Sequence, residues 1–272
     1  THERSSAASD VYKRQILSRV IRWTEEGLEY EADQRHADLL VKEMGVEKGK
    51  SAVTPCVAQT QNQKEVNEVT KEEEPLTGVE VTRYRSTAAR VIYMSADRPD
   101  LQFACRVASQ HMSKPNKKSW ELLMRIAQYV KGTPRLIQKI KWEDMSKEVD
   151  AFADSDWAGD KRTLKSTSGG VIMWGTHALK SWSTSQSTLA LSSGEAELYA
   201  LTRAATQVAG IISMAKDFGV ILNGTVRSDS SAAIGITHRT GLGGRCRHIK
   251  VQYLWIQEKI KSEELKVKKV LG

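Results

Sequence analysis

The spacing of apolar residues predicts a mainly helical first half of the chain. Residues 16–45 carry apolar side chains at helical spacing, followed by Gly45 as a stop signal: Ala37, Leu39, Leu40 and Met44. Residues 47–75 contain almost no large apolar side chain and are rich in charge, which is typical of a linker. Two helices are predicted at 84–94 and 101–112, and Ser119 can N-cap a third that closes before Pro134.

The pattern changes after residue 135, where short apolar runs separated by glycines predict β-strands. The predicted strands are 139–142, 149–154, 171–174, 178–183, 225–229 and 265–270. Ser192 opens a long helix that ends at Gly219, and Glu195 stands where a capping-box partner is expected. Shorter helices are predicted at 232–237 and 249–261. This order of elements indicates a mixed α/β sheet.

Composition restricts the class of protein and its surroundings. Of the 272 residues, 40% are hydrophobic and 27% are charged, which is ordinary for a globular domain. No apolar run approaches the ~20 residues that span a bilayer, and the N-terminus has no signal-peptide layout. Cys56, Cys105 and Cys246 form neither a metal knuckle nor a paired framework. We therefore expect a protein that is not secreted, lies in a reducing compartment and has no membrane partner.

Positive charge is concentrated near the end of the chain. The net charge is +8, and residues 237–272 hold nine Lys or Arg side chains against three acids. Such a stretch is typical of a surface that binds a polyanion such as nucleic acid. It is equally typical of a solvated surface that keeps a protein soluble. Charge alone leaves both interpretations open.

Three carboxylates in the second half of the chain carry the candidate chemistry. They are Asp154 in ADSDWAGD, Glu197 in SSGEAEL and Asp229 in SDSSAA. The pattern places them on a strand, in the first turns of a helix and at the close of another strand. Such carboxylates can converge on a pair of hard divalent cations, because Mg²⁺ prefers carboxylate oxygen. Two cations about 4 Å apart can clamp the reacting oxygens of a phosphodiester, so nucleic-acid hydrolysis is the leading hypothesis.

Each of these acids also has a simpler interpretation. An aspartate at the end of a strand is commonly a turn or cap residue. Asp156 shares a strand face with Asp154 and is the stronger rival ligand. Glu195 is better explained as the capping-box carboxylate of the helix that carries Glu197.

Taken in order, the later motifs resemble the ribonuclease H domain of a copia-like LTR retrotransposon Pol polyprotein. The resemblance covers residues 148–272 and rests on ADSDWAGD (153–160), KSTSGG (165–170), SWSTSQSTLALSSGEAE (181–197), DSSAA (229–233) and RHI (247–249). Three earlier motifs resemble the region that connects reverse transcriptase to ribonuclease H in this family: YRS (84–86), YMSADRPDL (93–101) and YVKGT (129–133). EYEADQRHA (29–37) resembles the tail of the transcriptase itself.

The resemblance implies an α/β fold, with a ribonuclease H-like mixed five-stranded sheet flanked by helices and preceded by a mostly helical connection region. The expected domains are a transcriptase tail with an adaptor-like N-terminus (1–46), a linker (47–76), the connection region (77–146) and a ribonuclease H-like domain truncated at its C-terminus (147–272). Because the sequence starts at Thr1 without Met, we expect a fragment.

The resemblance also implies the chemistry of the site. Asp154, Glu197 and Asp229 would hold two Mg²⁺ ions, or Mn²⁺ in their place, and hydrolyse the RNA strand of an RNA–DNA hybrid. Contacts to ribose 2′-hydroxyls or phosphates are implied for Ser192, Ser193, Arg245, Arg247 and His248. Ser192 can instead N-cap its helix, and His248 can be structural. The expected partners are the hybrid and the remainder of the Pol polyprotein, in a cytoplasmic virus-like particle or in the nucleus.

Two departures from the family's pattern affect the expected activity. The Tyr-x-Asp-Asp polymerase signature is absent from the sequence, so no polymerase catalysis is expected from these residues. The family also places a fourth metal-binding Asp in an Ala-Asp motif after the last strand, where this sequence stops at Gly272. Impaired cleavage is therefore expected. The alternative is a catalytically weak hybrid-binding or structural module of a degenerate element. A transposase or integrase is disfavoured, because Glu stands second in this acidic set.

Overall fold

The computed structural model describes residues 12–57, 74–241 and 247–270. Residues 1–11 of the adaptor-like N-terminus and 58–73 of the predicted linker lie outside these ranges. The chain divides into two compact units, Thr1–Trp142 and Glu143–Gly272. Each unit has a hydrophobic core of its own. No helix within the described residues is long and apolar enough to cross a membrane.

The first unit contains a four-stranded antiparallel sheet in the order β1-β2-β3-β4. Its strands are β1 (Tyr12–Ile16), β2 (Arg19–Thr24), β3 (Gly27–Glu31) and β4 (Ile137–Lys141). The helix predicted over residues 16–45 is therefore wrong in its first half, and the adaptor-like segment reaches into β1. β-Branched and aromatic side chains favour strands here. The strand predicted at 139–142 also belongs to this sheet, because β4 pairs with β3.

Two backbone features reverse the chain where a helix is predicted. Leu17 and Ser18 both have positive φ, which makes a tight turn between β1 and β2. Gly27 lies so close to β4 that a methyl group there would stand 2.0 Å from the carbonyl oxygen of Ile140. Only glycine fits at that point, so its position marks a strand and not a helix.

The remaining helices of the first unit follow the prediction. Asp33 N-caps α1 (Gln34–Glu43), the part of residues 16–45 that is helical. The three predicted helices correspond to α2 (Val79–Ser95), α3 (Gln102–Ser109) and α4 (Lys117–Gly132). Asn116, and not Ser119, N-caps α4, and Ser119 completes a capping box with it. The core of this unit includes the fully buried side chains Leu40, Tyr84, Leu123 and Ile126.

The ionised carboxylate of Glu31, at the end of β3, stabilises the first unit. Hydrogen bonds from Arg135 and Arg22 lower the pKa of Glu31 to about 2, against the opposing effect of burial. The stabilisation is therefore present above the ordinary pKa of glutamate and is lost as the pH falls towards 2. We expect Glu31→Gln to lower the free energy of unfolding by about 2 kcal/mol at pH 7, and by less at pH 3. Urea unfolding at both pH values checks this, and an equal loss at both would contradict it.

The second unit contains a five-stranded sheet in the order β7-β6-β5-β8-β9. Its strands are β5 (Glu148–Asp156), β6 (Thr167–Trp174), β7 (His177–Ser185), β8 (Asn223–Ser228) and β9 (Leu265–Lys269). β5, β6 and β7 pair antiparallel, whereas β8 runs parallel to β5 and β9 runs parallel to β8. The predicted mixed five-stranded sheet flanked by helices is confirmed.

The long helix α5 (Ser193–Asp217) packs on this sheet. Val149, Ala151 and Ala153 alternate along β5 and share one buried core with small side chains of α5 such as Ala196 and Ala200. Two shorter helices, α6 (Ser231–Thr237) and α7 (Trp255–Lys261), complete the unit. The helix predicted over 249–261 begins only at Trp255, after a 3₁₀ turn at Val251–Leu254. Because β5 and β8 are parallel, their carboxyl ends meet at one edge of the sheet.

Candidate metal and nucleic-acid site

Asp154 and Asp229 lie at the carboxyl ends of the parallel strands β5 and β8. The register of these strands joins Phe152 to Arg227. Two residues further along, the same register brings Asp154 alongside Asp229, which follows the last residue of β8. Both aspartates are exposed. Asp154 is exposed because it faces away from the core that holds its neighbour Ala153.

Glu197 reaches the same place from the first turns of α5. Ser192 N-caps this helix, because its side chain accepts a hydrogen bond from the backbone N–H of Glu195. Carboxylate oxygens of Asp154, Glu197 and Asp229 all lie within 4.8 Å of one another. The convergence predicted from the sequence is present, and metal binding by these residues remains a prediction.

The carboxylate of Glu197 is held by one neighbour and is otherwise unsatisfied. The residue is 8% exposed, and its Oε1 accepts hydrogen bonds from the backbone N–H (3.1 Å) and the hydroxyl (2.8 Å) of Ser155. Its Oε2 is buried and has no hydrogen-bond partner among the described residues. A buried carboxylate oxygen without a donor is costly, and a bound cation would satisfy it.

The electrostatics of the site also fit a cation. Burial raises the pKa of Glu197, and the neighbouring charges of Asp154 and Asp229 raise it further, whereas the hydrogen bonds from Ser155 lower it. Repulsion among the three carboxylates is relieved when positive charge binds between them. All of the ligand atoms offered are hard carboxylate oxygens, which Mg²⁺ and Mn²⁺ prefer over softer donors. The residues present therefore fit divalent cations of this class.

The rival ligand Asp156 does not belong to the acidic cluster. Its carboxylate lies against the turn that follows β5, where a methyl group on Gly159 would stand 1.8 Å from Asp156 Oδ2. Asp156 is thus two residues from Asp154 in the sequence, but its carboxylate does not join those of Asp154, Glu197 and Asp229. It provides a matched control for substitution of Asp154.

Glu195 is not the capping-box carboxylate that the sequence predicts. Its oxygens accept hydrogen bonds from the backbone N–H of Leu191, the hydroxyl of Tyr199 and Nε2 of His248. Burial alone would raise the pKa of Glu195, but the hydrogen bonds from Tyr199, His248 and Leu191 outweigh it and lower the pKa. The predicted box is therefore only half formed, because Glu195 is drawn to a segment that lies 53 residues away in the sequence.

The predicted nucleic-acid contacts lie in different environments. Ser192 is the N-cap of α5, and Ser193 is exposed at its first turn. Arg247 is exposed, whereas Arg245 lies outside the described residues. The side chain of His248 is 43% exposed and is engaged with Glu195 at 2.9 Å. Contact of these residues with nucleic acid remains a prediction.

Ser155 contacts the acidic cluster, and the sequence motifs do not single it out. Its backbone and hydroxyl orient Glu197. The signal was present, because strand alternation points Ser155 away from the face of Asp154 and towards α5. Its contact with one particular carboxylate depends on how α5 packs, which no local pattern specifies.

Comparisons with known proteins find relatives among transposon polyproteins. No family model matches it. The chain is 29% identical over 188 residues to the retrovirus-related Pol polyprotein from transposon RE2 of Arabidopsis thaliana, covering 68% of this chain and 13% of that protein. It is 27% identical over 241 residues to the Pol polyprotein from transposon TNT 1-94 of Nicotiana tabacum, covering 88% and 18%. The chain is thus similar to retrovirus-related Pol polyproteins of plant transposons. It spans less than a fifth of the length of these two relatives.

Among solved structures, the chain is similar to a viral protease-reverse transcriptase and to a ribonuclease H1. The match to a foamy viral protease-reverse transcriptase (dRH), solved in complex with double-stranded DNA, covers 96% of this chain and 38% of the viral chain. The identity is 10% and the TM-score is 0.52. The match to LC11-RNase H1, isolated from compost by a metagenomic approach, covers 46% of this chain and 85% of the LC11-RNase H1 chain. The identity is 16% and the TM-score is 0.32. The predicted fold class is confirmed by the architecture itself, in which a mixed five-stranded sheet flanked by helices follows a mostly helical region in the sequence.

Proposed function

We propose that the second unit is the ribonuclease H of its Pol polyprotein and hydrolyses the RNA strand of an RNA–DNA hybrid by a two-metal mechanism. The observation that carries the proposal is the convergence of Asp154, Glu197 and Asp229 within 4.8 Å, with one buried oxygen of Glu197 left without a donor. Similarity to the Pol polyproteins of plant transposons supports it.

The residues of the site divide the work between them. Asp154 and Asp229 offer oxygens from two strand ends, and Ser155 fixes Glu197 so that its free oxygen is available. When bound, a pair of Mg²⁺ or Mn²⁺ ions supplies activation of water for in-line attack and stabilisation of the leaving 3′ oxygen. The rigid sheet edge holds Asp154 and Asp229 in place before substrate binds, which reduces the reorganisation needed during the reaction.

Residues around the N-terminus of α5 would recognise the hybrid. Ser193 is exposed at the start of α5, four residues before Glu197, and its hydroxyl is suited to a ribose 2′-hydroxyl, the group that distinguishes RNA from DNA. Ser192 can add such a contact only alongside its capping role. Arg245 and Arg247 would contact phosphates, and the remainder of the Pol polyprotein, including its reverse transcriptase, would be the protein partner.

Binding of a divalent cation tests the proposed site directly. We expect Mn²⁺ to raise the thermal midpoint of the second unit, because the cation binds only the folded arrangement of the carboxylates. Asp154→Asn should remove most of this shift, whereas the matched Asp156→Asn variant should keep it. Thermal unfolding with and without Mn²⁺ gives the comparison. Equal shifts in both variants would mean that the acidic cluster does not hold the cation.

Binding of the hybrid should weaken as the salt concentration rises, because the Lys- and Arg-rich residues 237–272 would contact its phosphates. Each phosphate contact adds about 0.9 to the slope of log K against log salt for a duplex. The Arg245→Ala, Arg247→Ala double variant is expected to reduce that slope by about 2. Affinity for a hybrid, measured at several salt concentrations, tests this. An unchanged slope would show that both arginines are only part of the solvated surface.

A further inference from the structure

Glu195 lies two residues before Glu197 on α5 but faces in another direction. Two residues rotate an α-helix by about 200°. Glu197 points towards Ser155 on β5, whereas Glu195 contacts the chain around Leu191 and His248. The helix therefore presents one carboxylate to the acidic cluster and another to a separate set of donors.

The contacts of Glu195 form a built anchor. Its side chain is 5% exposed and accepts hydrogen bonds from Leu191 N–H and His248 Nε2, both at 2.9 Å, and from the Tyr199 hydroxyl. The ring of Tyr199 packs on that of Tyr253, with the centroids 3.9 Å apart. The segment 247–254 is thus attached to α5 at two points, through His248 and through Tyr253.

The same segment presents positive charge to solvent. Ile249 is 3% exposed and belongs to the core, whereas Arg247 and Lys250 on either side of the anchored pair His248 and Ile249 are exposed. The backbone of both cations is therefore held beside the N-terminal turns of α5. Cations on a fixed backbone lose less conformational freedom on binding a phosphate than cations on a free loop.

We propose, resting on the ribonuclease H function above, that Glu195 and His248 are positioning residues that hold Arg247 and Lys250 against the phosphates of the bound hybrid. His248 then acts through Glu195 and does not itself contact nucleic acid. The sequence motif around Glu197 thus carries two carboxylates with different tasks, one for cations and one for substrate placement.

Substitution of His248 tests the proposal in the full chain. His248→Ala removes the contact with Glu195 and leaves Arg247 and Lys250 in place. We expect affinity for an RNA–DNA hybrid in EDTA to fall on the order of 10-fold at 0.1 M salt, and the slope of log K against log salt to fall by about 1 to 2. His248→Gln should restore both, because its amide can donate to Glu195 from a similar position.

His177→Ala is the matched control. His177 Nε2 lies 3.1 Å from Glu143 at the β6–β7 turn, which is at the opposite end of the sheet from Asp154. Its loss removes a contact of the same kind and should leave the slope unchanged. His248→Asn, whose amide cannot reach as far, should behave like His248→Ala and replaces it if the alanine variant does not fold.

The outcomes separate this proposal from the function on which it rests. If His248→Ala and His177→Ala lower the thermal midpoint alike and neither changes the slope, the Glu195–His248 pair only supports folding and the proposal is overturned. A His248→Gln variant as weak as His248→Ala overturns it as well. If the wild-type chain shows no salt-dependent binding of a hybrid, the proposed function itself fails.

Discussion

Asp154→Asn is expected to abolish divalent-cation-dependent hydrolysis of the RNA strand, with a loss on the order of 10³-fold. Asp154 offers a carboxylate oxygen within 4.8 Å of those of Glu197 and Asp229, so its neutralisation weakens cation binding by the cluster. Several kcal/mol of charge stabilisation depend on those cations, and each 1.36 kcal/mol is about a tenfold change in rate. The measurement is the rate of cleavage of a labelled hybrid at saturating Mg²⁺, made in a chain that continues past Gly272 through a helix opening on an Ala-Asp motif.

Asp156→Asn provides the control for this substitution. It removes the same charge from the same strand, two residues away, at a position outside the acidic cluster. We expect its cleavage rate to remain within about threefold of the wild type, because exposed charges outside the cation site contribute little. If Asp154→Asn cleaves as well as Asp156→Asn does, the assignment of all three carboxylates is wrong.

A chain of residues 1–272 is expected to cleave the hybrid at least about 100-fold more slowly than a chain extended through a helix that opens on an Ala-Asp motif. Mg²⁺ is held through carboxylate oxygens, and two such ions would have to share the three carboxylates of the cluster. We expect the cation that activates water to bind weakly and the other to be retained. The extension adds the fourth carboxylate that the family resemblance implies.

Single-turnover cleavage across a Mg²⁺ titration distinguishes this prediction from a general loss of folding. The shorter chain should need more Mg²⁺ for half-maximal rate, whereas its affinity for the hybrid should be unchanged. A variant of the extended chain with Asn in place of the added Asp is the matched control. If the shorter chain cleaves as fast as the extended one, the fourth carboxylate has no role in the mechanism.

Much of the second unit was predictable because its signals are local. The strands around Asp154 and Asp229 are bounded by glycines and turn residues, and the N-cap at Ser192 is read directly from its neighbours. The first unit was less predictable. Residues 16–31 carry apolar positions that suit either helix or strand, and their strand state depends on a partner, Ile137–Lys141, more than 100 residues away.

The sequence by itself determined which carboxylates are candidates and that they stand at strand ends and in the first turns of a helix. Local spacing suffices for this, because each motif lies within one element and its first turn. Only the tertiary structure decided that Glu197 is oriented by Ser155 and that Glu195 binds His248 instead of closing a capping box. Those contacts join residues 42 and 53 positions apart, and they form because packing of α5 buries both carboxylates and each then requires donors from whichever segment lies against it.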